Sequence, residues 1–233
     1  MRAKRGRRAC KIRLGALLAL VLMAPFRGTK GAEEFHVAVE YYKLPNGLRV
    51  VLSPDHTAPT VCVGVYYRIG FRIEPRDRTG FAHLFEHMMF QGSKNLGKME
   101  FIKLVQANGG ILNGSTRFDF TNYFEVVPSN KLETMLWAEA DRMSGLAVNE
   151  ENLKNQQGVV GNEVKVNVLN APYGGFPWID LPMAANSNWY NAHNFYGDLT
   201  DIEAAKLDEV KKDRKSTRLN SSHEFVSRMP SSA

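Results

Sequence analysis

Cysteine is nearly absent from this chain. Two occur in 233 residues, and Cys10 lies in the basic N-terminal stretch, which leaves Cys62 alone in the remainder. One thiol builds neither an intrachain disulfide nor a cysteine-based zinc site. Within Val61-Cys62-Val63-Gly64-Val65, Cys62 reads as a small core residue rather than a nucleophile. Acidic residues are missing from the first 32 positions, which carry nine Lys and Arg. The apolar run Leu14–Ala24 is too short to cross a bilayer comfortably. No internal repeat is visible.

These absences decide how the charge is read. The formal net charge of +6 comes from the chain ends, because residues 33–212 hold 17 basic and 22 acidic side chains. A mildly acidic body gives no reason to expect a nucleic acid partner. A basic stretch over 2–13, the apolar run and small residues at Thr29-Lys30-Gly31-Ala32 predict a secretory signal peptide over 1–31. The mature protein is then periplasmic or secreted, with no stable membrane anchor after cleavage. A mitochondrial presequence with a matrix destination is the alternative, disfavoured by the unbroken apolar core and the lack of Ser.

The centre of the chain is Gly80 to Phe90, Gly-Phe-Ala-His-Leu-Phe-Glu-His-Met-Met-Phe. It reads as a helix with Thr79 as a candidate N-cap. His83 and His87 are four apart and share a face, so two ring nitrogens can grip one ion. Glu86 stands beside them, placed to act on a water without being a ligand. The pattern is H-x-x-E-H. Three ionisable groups inside an apolar helix also need a strong partner, because buried charge is costly unless paired or bound to a metal.

Around this helix, Tyr41–Leu52 reads as a hairpin turning at Pro45-Asn46-Gly47. A buried strand follows over Val61–Ile69. Met99–Ala107 reads as a short helix, Ile111–Val127 as strands, and Lys131–Met143 as an amphipathic helix. Another helix spans Glu150 to about Val168, then an aromatic loop region, then a helix over Leu199–Lys212. A catalytic zinc takes three protein ligands and leaves one position open. The third could be Asp119, Glu125, Glu133, Glu139, Asp141, Glu150, Glu151 or Glu163, or one of the other histidines. Glu163 stands out only because it interrupts the apolar Val159, Val160, Val164 and Val168. His193, in the aromatic loop, reads as a solvated histidine.

Several blocks in order carry a resemblance. Gly70-Phe71-Arg72-Ile73-Glu74-Pro75, the H-x-x-E-H helix, Met88-Met89-Phe90-Gln91-Gly92-Ser93, Gly109 to Thr116 and Asp119 to Tyr123 resemble the insulinase/pitrilysin family of zinc peptidases. The branch that looks most similar is bacterial and mitochondrial-processing-peptidase-like. The resemblance covers about Tyr41 to Lys212. It implies an α+β fold, an antiparallel-rich sheet with helices packed on one face. It implies Zn2+ held by His83, His87 and Glu163, and Glu86 as general base on the activated water. It implies that Asn113 and Gly114 lie on an edge strand to which an extended peptide substrate adds. The dipeptide read alone would be a turn. Two departures stand out: Gly114 where the family commonly has Ala, and Gln156 where it often has an acidic residue.

The resemblance therefore implies a zinc metalloendopeptidase domain over 32–212, incomplete at its C-terminal end and lacking a second half or homologous subunit. Asp213 to Ala233 loses apolar period, is rich in Ser and Arg, and reads as a non-native read-through tail. Two rival functions are a non-catalytic assembly subunit of the same family and a metal hydrolase on a non-peptide substrate.

Overall fold

The computed structural model describes residues 37–213 and 223–228; the expected leader lies outside the described residues. Short runs rich in β-branched and aromatic residues make the strands. β1 (Glu40–Lys43) and β2 (Arg49–Leu52) form the hairpin, turned by Gly47 at φ 92. β3 (Thr60–Tyr67) pairs antiparallel with β5 (Thr121–Pro128), and β5 with β4 (Ile111–Thr116). A sixth strand, β6 (His223–Arg228), completes the order β1-β2-β6-β3-β5-β4. The β2–β6 pair is parallel and the others antiparallel. The fold is α+β with an antiparallel-rich sheet.

β6 falls inside the stretch whose side-chain pattern predicted no element. Its backbone supplies the reason: it pairs with β2 on one side and β3 on the other. Unpaired strand edges are templates for any extended segment.

Four helices matter to the site: α1 (Phe81–Met88), α2 (Glu100–Ala107), α3 (Leu132–Gly145) and α4 (Glu150–Val164). Their apolar stripes meet Val61, Val63, Val65 and Tyr123 of the sheet in one core with Leu84, Met88, Val105, Met135 and Val160. α4 ends at Val164 and continues as a wider turn over Lys165–Leu169. The expected C-terminal helix is two, Leu199–Ala204 and Leu207–Asp213, because Ala205 is extended. Among the described residues no helix is long and apolar enough to cross a membrane.

Three local expectations are corrected. Thr79 does not cap α1. The N-cap is Gly80 at φ 80, and the first-turn donors are taken by Glu74, which accepts from Gly80 N at 2.8 Å and Ala82 N at 2.7 Å. Thr79 instead donates its hydroxyl to Asp201 at 2.7 Å, tying α1's entry to the chain's later helices. A carboxylate is the better group at a helix N-terminus, where orphan N–H groups and the dipole favour an anion. His193 is not solvated. Its Nδ1 lies 2.8 Å from Trp189 O and its Nε2 2.7 Å from Phe71 O, so it fastens the aromatic loop to the turn before α1. Cys62 is only half-buried.

Under the sheet, Arg142 is buried to 2% exposure, ion-paired to Glu139, with Glu125 at 0% beside them. Its guanidinium lies over the rings of Phe101 at 4.2 Å, Tyr123 at 4.5 Å and Phe90 at 5.4 Å. Burial, and then the Glu139 charge, push the Glu125 carboxyl well above the usual carboxylate range. A folded-state pKa above the unfolded one means the fold holds a proton that unfolding releases, so stability declines as pH rises above the ordinary carboxylate value. Glu125→Gln is expected to remove that decline. Its urea midpoint should exceed the parent's near about pH 8 and meet it near about pH 4. A gap between variant and parent midpoints that stays the same from about pH 4 to about pH 8 would show that Glu125 is ionised in the fold.

Candidate metal centre

α1 delivers His83 and His87 to one side, and α4, packed across it, delivers Glu163. His83 is 3% exposed, and His87 and Glu163 are half-buried. The two Nε2 atoms stand 3.2 Å apart. Glu163 Oε2 is 3.1 Å from His87 Nε2, and Oε1 is 3.7 Å from His83 Nε2. Three such atoms all lie within 4.8 Å of one another. Zinc ligands at about 2.0–2.1 Å in tetrahedral array stand about 3.3 Å from each other. The two nitrogens and the two carboxylate oxygens of Glu163 thus face each other at separations near those of zinc ligands. Facing nitrogens this close, backed by a carboxylate, form a site of lone pairs suited to a cation.

The electrostatics agree. Burial, then the neighbouring His87, push the His83 pKa down to about 4 against the pull of Glu163. His83 is therefore neutral near pH 7 and its lone pair is free to bind a metal. Glu163 is held below the usual carboxylate range by its hydrogen bond to His87, although burial opposes this. His83 Nδ1 is buried without a hydrogen-bond partner. The ring is held instead by edge contacts with Phe195 at 5.3 Å and Tyr196 at 5.5 Å.

Glu86, on the adjoining face of α1, accepts a hydrogen bond from Thr116 Oγ1 of β4. Burial raises its pKa, and the Thr116 bond opposes this. β4 ends the sheet's order, and Asn113 and Gly114 lie in its middle, not in a turn. A Cβ on Gly114 would sit 3.2 Å from Glu86 Oε1 and 3.2 Å from the Tyr123 ring. Glycine thus lets the edge strand lie close over the carboxylate. A cleft of about 540 Å³ opens beside Glu86, His87, Asn113 and Gly114. Gln156, at the position where an acidic residue was expected, lines it and donates to Asn155 at 2.7 Å.

The remaining third-ligand candidates lie elsewhere. Glu125 and Glu139 belong to the Arg142 cluster. Asp141 accepts from Ser93 and Asn95, and Asp119 pairs with Arg72 at 2.6 Å. Thr116 and Glu74 escaped the sequence reading. Both lie in the ordered blocks, but Thr116 is 30 residues from Glu86 and Glu74 six residues before the Gly80 N-cap, so no local spacing marks either role.

A family description, insulinase (peptidase family M16), matches residues 49–172. The chain belongs to the insulinase family. It is 34% identical over 200 residues to the zinc protease PqqE of Helicobacter pylori, covering 84% of this chain and 44% of that protein. A zinc protease of Bacillus subtilis, YmxG, is 30% identical over 128 residues, 55% of this chain and 31% of that one. The crystal structure of a protease from H. pylori superposes with a TM-score of 0.79 at 28% identity, over 85% of this chain and 48% of that chain. The periplasmic protease PqqL of Escherichia coli, at 18% identity, shares the fold with a TM-score of 0.74. The chain spans less than half the length of these relatives. Homologues such as PqqE and YmxG are named zinc proteases, which implies Zn2+ for the family.

The triangle of ligand atoms makes a prediction. The chain should bind one zinc, and His83→Ala or Glu163→Ala should lower its zinc affinity at least about tenfold. Competition with a chromophoric chelator and metal analysis of the dialysed proteins measure it. Equal zinc content in parent and variants would reject the assignment.

Proposed function

We propose that the chain is the zinc-binding part of a metalloendopeptidase that cleaves extended peptides. The observation that carries this is the close approach of His83, His87 and Glu163 beside an unligated Glu86, directly under an edge strand. Zinc, when bound, supplies a Lewis acid and an acidified water. The residues do the rest. Glu86 is the general base; its raised pKa brings it nearer the range in which a carboxylate both takes a proton and returns it to a leaving amine. Thr116 fixes the carboxylate's orientation. β4 offers its outer backbone groups to a substrate strand, with little demand on sequence, and Gly114 keeps that strand near Glu86. Asn113 flanks the same position.

A partner is part of this reading. Phe176, Trp178, Leu181 and Met183 are each about half exposed or more, and Asp180 is the one charged residue from 166 to 185. Exposed apolar surface with little charge marks an interface. A second half or homologous subunit of the family's kind would cover it and close the cleft. Export to the periplasm, or secretion, completes the proposal and rests on the leader. Its check is N-terminal sequencing of the mature protein, expected to begin near Ala32, whereas an intact Met1 in a cytoplasmic product rejects it.

The function itself is tested by Glu86→Gln. Peptide cleavage by the chain joined to its second half should fall at least about a hundredfold while zinc content stays at the parent's level. Cleavage within a few-fold of the parent would place the base elsewhere. A zinc-free parent would favour the non-catalytic subunit.

A further inference from the structure

The cleft beside Glu86 has a wall that peptide hydrolysis does not require. It runs from the metal centre between α2, α4 and β4. Phe90, Met99, Ile102, Leu112 and Val159 make it apolar. Its lining ionisable groups are Glu86 and His87 at the metal end, and Lys98. Lys98 forms no ion pair with a carboxylate among the described residues. Its Nζ donates to Asn155 Oδ1 at 3.3 Å, a neutral oxygen already shared with Gln156.

Lys98 also stands on a stiff loop. Asn95 N donates to Asp141 at 3.1 Å, Asn152 Nδ2 to Gln91 O at 3.2 Å and Ala147 N to Gly92 O at 2.9 Å. Gly97 N donates to Glu100 at 2.6 Å, and Met99 N to Phe90 O at 3.2 Å. Met99 itself is held at φ 63. A non-glycine residue in the left-handed region is strained, and such strain persists where the surroundings over-determine it, often at ligand clamps. The loop's hydrogen bonds aim Lys98 and Met99 at the cleft.

Distance sets how far along a substrate this cation reads. Asn155 precedes Glu163 by eight residues on α4, about 12 Å along a helix axis. An extended peptide covers that in about three to four residues.

We infer that Lys98 is a specificity residue that selects peptides with an acidic side chain within about three residues of the scissile bond, on the side this cleft serves. The apolar wall takes the bulk of the intervening side chains. Lys98 is exposed at the mouth of the cleft, so a basic residue there meets a like charge that water and salt screen in part, and the lysine disfavours it as well as attracting an acid. This rests on the reading of the cleft as a peptide site.

The test uses the zinc-loaded chain joined to its second half and carrying Glu86→Gln, so that peptides survive, and fluorescence anisotropy. The probes are fluorescein-labelled unstructured peptides, identical except for Glu, Gln or Lys walked through successive positions. Glu should bind about fivefold more tightly than Lys over a window of about three positions, weakening as salt rises. Adding Lys98→Met should erase the difference, and Lys98→Glu should reverse it. Peptide binding without charge preference, or a preference that Lys98→Glu leaves unmoved, overturns this inference alone. Failure to bind any of the peptides overturns the peptide-cleft reading and this inference with it.

Discussion

The site depends on one packing event, α1 crossing α4 with the sheet beneath. α1 by itself can only stack two imidazoles on one face. Their Nε2 atoms come to 3.2 Å because the helix is buried on its other side by Leu84, Phe85 and Met88. Glu163 closes the triangle because α4 is packed at the right height. Burial that strips the imidazoles of water also keeps His83 neutral, and a neutral imidazole is the form that binds a metal. Core packing and ligand chemistry are thus one constraint.

The start of α1 is fixed with equal care. Glu74 takes the first free N–H groups, and Thr79 is anchored to Asp201. Gly80 and Gly197 approach so closely that a Cβ on Gly197 would lie 2.3 Å from Gly80 N. Residues from Asn194 onward are therefore part of the frame that holds the metal helix, although they are more than a hundred positions away.

The buried acids show why burial alone does not mark a metal ligand. Glu125 and Glu139 are more buried than Glu163, yet they face Arg142 and its ring of Phe90, Phe101 and Tyr123. Pairing with Glu139 offsets part of the cost of burying the Arg142 cation. Among the described residues Glu163 has no cation partner of this kind, and it faces two nitrogens. The cluster also lies behind the cleft, since Phe90 lines the cavity and Tyr123 backs Gly114.

The sequence alone determined the helix that sets His83 and His87 one turn apart with Glu86 beside them, and most of the strand and helix pattern, because each follows from local spacing. Ordered blocks pointed to the family, and through it to Glu163 and to the α+β sheet. Spacing left eight acids open as third ligand, since which of them faces α1 depends on how two helices cross. Tertiary structure alone decided that Glu74 caps α1, that Thr116 steadies Glu86, that His193 is a buried tie and that Lys98 stands at the cleft. It also decided that six residues of an unpatterned stretch fill the gap between β2 and β3. Each of these is a contact between distant residues, set by packing and by the demand of backbone and polar groups for partners, and no local pattern encodes it.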